Sequence, residues 1–269
     1  MNGTPLTGWR KIANALWDAP SDPQIYGAWE VDATRMLTFI EAARARGGRV
    51  TPTHLVGRAV ARALSAVPDL NVRFVGDRAI PREGIDVFFI TAVASGRDLS
   101  GVKICHADRK NVLERSAELS ERSGRMKAGK DPDFARSKRA FEVLPRPVLR
   151  VALRAMAWVT GTHATAVPAL GLPASPFGSA MVTSVGMLGI PMGFAPLAWM
   201  YAVPLLVLVG QIAERPVVRG GRIEACPILP ITATIDHRYA DGSHLSEALK
   251  AFREYLEDPE RFEPPADAG

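Results

Sequence analysis

The sequence predicts an α/β fold, and three observations carry the prediction. Asp86 to Ala94 and Val203 to Val209 are nearly continuous apolar, β-rich runs, as in strands buried on both faces. Leu55, Val56, Ala59, Val60, Ala63, Leu64 and Val67 recur at helical spacing. Leu245, Ala248, Leu249, Phe252 and Leu256 do the same near the end of the chain. The 269 residues suffice for one large domain or two small ones, and a single domain over 1–269 is expected.

The totals exclude several classes. Apolar residues make up 47% and charged residues 23%, an ordinary globular balance. The net charge of +5 suits an anionic small molecule. It falls short of a nucleic-acid signature, because no basic run is interleaved with stacking aromatics. Cys105 and Cys226 stand far apart with no metal spacing, so neither a disulfide scaffold nor a metal site is expected. The chain opens without a secretory signal and has no stretch of about 18 apolar residues. A cytoplasmic, reducing location is expected.

Taken in order, residues 8–19 read as a short amphipathic helix ended by Pro20. Ile25 to Val31 reads as a strand, followed by Asp32 as cap of a short helix. Thr51-Pro52 is a helix start, with Thr as cap and Pro at the first helical position. Pro68-Asp69 stops that helix. Asn71 to Phe74 is a short strand and Gly76-Asp77 a turn. Ser95 to Asp98 turns, Val102 to Cys105 resumes extended, and Asp108 to Ser123 reads as a polar helix.

Pro147 to Thr160 reads as an apolar helix whose charges lie in one row, Arg146, Arg150 and Arg154. It is too short to span a bilayer. Packing within the protein or an oligomer is favoured over membrane contact through the 146–160 helix. Ala180 to Thr183 and Val203 to Val209 are strands. Gly220-Gly221 turns a hairpin between Pro216–Arg219 and Arg222–Ala225. The tail from Pro264 to Gly269 is expected to be disordered.

The stretch Ile228 to Gly242 carries the chemistry. Leu229, Ile231, Ala233 and Ile235 share one strand parity, and His237 falls on it. An imidazole at the end of an apolar face is neutral and able to take a proton. Asp241 follows four residues later, just before Gly242. A lone histidine in such a place is more often a core or turn residue than a catalytic one.

The full run Asp236-His237-Arg238-Tyr239-Ala240-Asp241-Gly242 resembles the Asp-His-Arg-x-x-Asp-Gly signature of 2-oxoacid dehydrogenase dihydrolipoamide acyltransferase catalytic domains. Chloramphenicol acetyltransferases carry a related motif. The resemblance extends to Arg10-Lys11-Ile12-Ala13, to Glu30-Val31-Asp32, to Ala59–Leu64 with Pro68–Asn71, to Ala107–Lys110 and to Val185–Gly189. These segments keep the family's order across most of residues 8–262.

The resemblance implies a chloramphenicol acetyltransferase-like fold, a large mixed sheet with helices on one side. It implies a homotrimer, or a higher multiple of three, with the active site in a channel between subunits. Coenzyme A and a dihydrolipoyl arm would enter that channel from opposite ends. His237 would be the general base that makes the thiolate. The tetrahedral oxyanion needs a hydroxyl donor. Thr183 lines up with the family's serine and is favoured, with Ser184 second. Asp241 and Arg238 would hold the turn by ionic contacts, with Arg10 one candidate partner for Asp241. Gly242 completes the turn.

The sequence also departs from the family. The acyltransferase core begins near residue 8, with no lipoyl or subunit-binding domain before it. A lipoyl arm would then come from a separate lipoyl-bearing protein, alongside dehydrogenase components. The segment Gly96 to Ile104 and the approach Trp199 to Ala202 differ from the family pattern, with Lys103 inside the first. Residues 130–177 read as a helical insertion. Two other readings stay open: a stand-alone coenzyme A-dependent acyltransferase acting on a small acceptor, and a catalytically idle assembly core. Intact His237, Asp241 and Gly242 weigh against the last.

Overall fold

The computed structural model describes residues 23–93, 98–127 and 145–263. The stretch 8–19 with Arg10, and the tail after Glu263, lie outside the described residues.

Strand β7, Leu205–Val209, has no polar side chain on either face, and it lies inside the sheet. The strands are β1 Gln24–Asp32, β2 Val72–Val75, β3 Arg78–Pro81, β4 Val87–Val93, β5 Asp98–Ile104, β6 Ala180–Ser184, β7, β8 Ala213–Arg219 and β9 Arg222–Asp236. Seven of them form one sheet in the order β1-β9-β7-β6-β4-β5, with β8 also paired to β9. β6 runs parallel to β4 and β7, and the other pairs are antiparallel. The sheet is therefore mixed. β2 and β3 form a separate hairpin across Gly76-Asp77.

The helices are α1 Thr34–Ala45, α2 Pro52–Ala66, α3 Val112–Lys127, α4 Arg146–Met156 and α5 Gly242–Glu257. α1 is longer than expected. Asp32 accepts from the Thr34 amide at 3.0 Å and steadies its first turn. At α2, Pro52 follows the cap Thr51, and His54 Nδ1 accepts from the Thr51 amide at 3.0 Å. α3 starts later than Asp108. Asn111 and Glu114 exchange backbone contacts, each 2.9 Å, so the capping pair sets the boundary.

The two faces of the sheet have different cores. Val182, Val207, Val209, Ile231, Ala233 and Ile235 pack under α2 and α5. Met181, Leu206 and Leu208 face the other way, where Leu197, Val203, Phe88, Phe177 and Tyr201 cover them. β9 is one strand through Pro227 and Pro230, not the two expected. Both proline carbonyls still accept, from the Ala33 and Gly210 amides, so each proline keeps a backbone link to a neighbouring segment although it has no N–H to give.

A buried charge cluster ties the end of the described chain to the start of α3. Glu263 accepts from Arg58 Nε at 3.1 Å, from the Tyr255 hydroxyl at 2.8 Å and from the Val112 amide at 2.8 Å. Arg115 is fully buried beside it and donates to the carbonyls of Ala107 and Lys110.

Candidate active site

β9 delivers His237 to one end of the sheet. The last strand amide, Asp236 N, donates to Pro204 O at 2.9 Å, and His237 N donates to Pro23 O at 2.8 Å. The chain then turns. Asp236 is buried, and Arg238 folds back on it through Nε at 2.9 Å and Nη2 at 2.5 Å. The amide of Arg238 also donates to Asp236 at 3.0 Å. The carboxylate holds the guanidinium charged and raises its pKa. Tyr239 is buried and stacks on Phe74 of β2, centroids 4.1 Å apart.

His237 is exposed in the protomer, so it is not packed against the apolar face as its parity suggested. Its orientation comes from the turn instead. Nδ1 lies 2.5 Å from the Ala240 carbonyl. A carbonyl only accepts, so Nδ1 carries a proton, and in the neutral ring Nε2 keeps its lone pair. Behind Ala240 and Tyr239 lies an apolar cavity of about 240 Å³ between α2, α5 and the sheet.

Asp241 caps α5. It accepts from the amides of Ser243 at 3.0 Å and His244 at 3.2 Å, and from Ser243 Oγ at 2.7 Å. It also sits 2.7 Å from His244 Nδ1. These contacts, the Ser243 hydroxyl foremost, hold its carboxyl well below the usual carboxylate range. Among the described residues, its partners come from the helix start itself. Free N–H groups at a helix N-terminus are the nearest donors to a cap aspartate. Arg10 lies outside the described residues. Gly242 is the first residue of α5 and is not among the glycines with positive φ. A Cβ there would meet nothing within 4 Å, so the protomer's own turn does not require glycine.

Thr183 and Ser184 close β6 and are half-buried. Their place is set by register: Thr183 pairs with Leu208, and Leu208 with Thr232. His237 lies five residues beyond Thr232 and two strands across from Thr183. At about 3.3 Å per residue and 4.8 Å per strand, the two Cα atoms are roughly 19 Å apart. One protomer does not bring the hydroxyl and the imidazole together. The loop after Ser184 exposes Met187, Leu188, Ile190, Met192 and Phe194.

Three cations, of which the sequence singled out only Lys103, hold the segments that lead into β6 and β7. Arg73 donates to Thr162 O at 2.8 Å. Arg82, its pKa lowered by burial, donates to Ala202 O at 2.5 Å. Lys103 donates to Ser175 O at 2.9 Å and Ala174 O at 3.1 Å, with Asp86 at 3.4 Å. Ser175 and Ala202 both have positive φ, so these contacts fix strained backbone. The segment rejoins the sheet on the same row as His237. Ser179 N donates to Asp86 O, and the strand that starts there runs level with Leu205 and Ile235.

The sequence matches the family model for the 2-oxoacid dehydrogenases acyltransferase (catalytic domain) over residues 2–133 and 177–263. Residues 134–176 fall outside the match. The chain is 25% identical over 262 residues to the dihydrolipoyllysine-residue acetyltransferase component of the acetoin cleaving system of Bacillus subtilis. That covers 95% of this chain and 55% of the relative. It is 26% identical to the corresponding component of the B. subtilis pyruvate dehydrogenase complex, covering 95% of this chain and 50% of that one. The chain thus spans about half the length of these relatives.

Among solved structures, a probable dihydrolipoamide acetyltransferase from Listeria monocytogenes superposes with a TM-score of 0.66 at 22% identity, covering 100% of this chain and 98% of that one. Azotobacter vinelandii dihydrolipoamide acetyltransferase, studied for a serine, a histidine and an asparagine in its catalytic mechanism, also gives 0.66 at 19% identity, covering 97% and 93%. The fold is therefore that of these acyltransferase cores. With most of its length matched by the family model, this chain belongs to the 2-oxoacid dehydrogenase acyltransferase family, in its catalytic domain.

Proposed function

We propose that this chain moves an acyl group between coenzyme A and a dihydrolipoyl thiol, with His237 as general base. The observation that supports this most is the Nδ1 contact to Ala240, which leaves an exposed Nε2 free to take a thiol proton. The acceptor thiolate attacks the thioester carbonyl, a tetrahedral oxyanion forms, and coenzyme A leaves as a thiolate that regains the proton from His237. Thr183, or Ser184 as second choice, donates to the oxyanion. Asp236, Arg238 and Asp241 hold the turn rather than the substrate.

Because Thr183 and His237 stand roughly 19 Å apart within one copy, the donor comes from a second copy of the chain. The exposed apolar loop Met187 to Phe194 follows Thr183 directly and suits burial between copies. We assign a homotrimer or a higher multiple of three. Mass measurement in solution tests it, and a clean monomer or dimer contradicts it. The lipoyl arm arrives on a separate protein, with dehydrogenase components, in the cytoplasm. Residues 130–177 form an insertion within a single catalytic domain, and the gap in the family match supports that reading.

A panel of acyl-coenzyme A thioesters offered with dihydrolipoamide, followed by free-thiol balance, tests the chemistry. Transfer by the wild type and its loss in His237→Ala is expected. No transfer, or equal transfer by the variant, overturns the assignment. The clamped segment at the row of His237 favours a second reading, a small free acceptor in place of the lipoyl arm. Small thiols, alcohols and amines in the same assay separate the two.

A further inference from the structure

The α4 helix and the π-helical turn Ala157–Thr162 that continues it present an unusual exposed edge. Arg150, Arg154 and Trp158 stand four residues apart along it, each step about 6 Å, and all three are exposed. Neither arginine has an ion pair or hydrogen bond among the described residues. Trp158 is 59% exposed and meets the His163 ring edge-on, at 4.2 Å and 63°. Two unpaired guanidinium groups in line with an exposed indole match a particular ligand chemistry. Guanidinium groups take phosphate oxygens in pairs, and an indole face takes a base.

This edge is tied to the catalytic turn. Arg73 holds Thr162, four residues past Trp158, and its neighbour Phe74 stacks on Tyr239 beside His237. A Cβ at Gly161 would lie 2.5 Å from the Tyr201 backbone, so the π-helical turn sits close against the approach to β7. The edge also falls in the part of the chain outside the family match.

We infer that Arg150, Arg154, Trp158 and His163 form an anchoring subsite for the phosphorylated adenosine end of coenzyme A. The two arginines take phosphates, and the indole, braced by His163, takes the adenine. This rests on the acyltransferase reading but deepens it, since it places the handle of the substrate on a segment particular to this chain. The row is one side chain wide and ends in an aromatic pair. A lipid surface would call for a broad basic face.

The test uses the full chain and two acyl donors, acetyl-coenzyme A and acetyl-pantetheine, which lacks the nucleotide. In the double variant Arg150→Glu/Arg154→Glu, and separately in Trp158→Ala, KM for acetyl-coenzyme A is expected to rise tenfold or more with kcat held. KM for acetyl-pantetheine stays where it was. Equal change with both donors, or no change with either, overturns the subsite. Arg125→Glu, on the exposed side of α3, serves as the charge control.

A binding readout separates this subsite from the catalytic reading. Adenosine 3′,5′-bisphosphate is expected to quench tryptophan fluorescence of the wild type and not of Trp158→Phe, whether or not acyl transfer is seen. Absence of quenching overturns the subsite. So does binding to phosphatidylglycerol vesicles through the same arginines that the nucleotide fails to displace.

Discussion

The imidazole of His237 donates through Nδ1 to the carbonyl of Ala240, 2.5 Å away and three residues along the same turn. The proposed base is thus aimed by its own loop, and anything that shifts Ala240 rotates it. Tyr239, just before Ala240, is pinned by the Phe74 ring of the β2–β3 hairpin. Replacing Phe74 by Leu removes the stack but keeps apolar bulk, at about 1 kcal/mol in stability. We expect kcat to fall several-fold with KM little changed, as steady-state kinetics would show. A change in KM alone would mean that the hairpin contacts substrate instead of steadying the turn.

Arg238→Met removes the fork from a buried carboxylate. Asp236 keeps the Arg238 amide as donor, so the loss stays near 1–3 kcal/mol. Chemical denaturation should show this as a lower midpoint with unchanged slope. Restoring charge with Lys recovers only part of it, because an ammonium lacks the paired geometry.

Asp241 has a folded pKa below its unfolded value, so its contribution is present above the unfolded value, near pH 4, and fades below it. Asp241→Ala is expected to lower the melting temperature at pH 7, and Asp241→Asn, which keeps a capping oxygen, to lower it less. Thermal melts in acid should show the gap between wild type and Asp241→Asn closing below pH 4. A gap that stays constant with pH would locate the effect elsewhere.

His54 gives the opposite residue type but the same sign. Burial, then the Arg115 charge, lowers its pKa to about 4. The unfolded imidazole binds a proton near pH 6.5 and the folded one does not, so stability is lost as pH falls from 6.5 toward 4. A shift of that size corresponds to about 3 kcal/mol at most. Denaturation curves at pH 7 and pH 4.5 should diverge for the wild type and much less for His54→Gln.

Much of this was legible in the sequence because it depends on local pattern. Within the apolar runs of the sequence, residues 87–93 and 205–209 are strands inside the sheet, and the stripes at 55–67 and 245–256 mark α2 and α5. Thr51-Pro52 marked a real boundary, whereas Asp108 did not, since Asn111 and Glu114 out-compete it as a cap. The single length of β9 was hidden by Pro227 and Pro230, whose carbonyls find the Ala33 and Gly210 amides only in three dimensions.

At the candidate site, the place of His237 at a strand end was legible, but its exposure was not, because strand parity reports direction and says nothing of what lies above the strand end. Ser243 and His244 could have been found as partners of Asp241 from their positions after a cap residue. The grips of Arg73, Arg82 and Lys103 could not. A cation that reaches a carbonyl dozens of residues away leaves no spacing in the sequence.

The length of the sheet between Thr183 and His237 has a genetic consequence. If each catalytic centre draws its hydroxyl and its imidazole from different copies, two dead chains can rescue one another. Co-expressed Thr183→Ala and His237→Ala chains, mixing freely in a ring, rebuild both intact halves at roughly one centre in four. A strain carrying both defective alleles would then recover activity that neither allele supports alone, and a single chain bearing both substitutions would not.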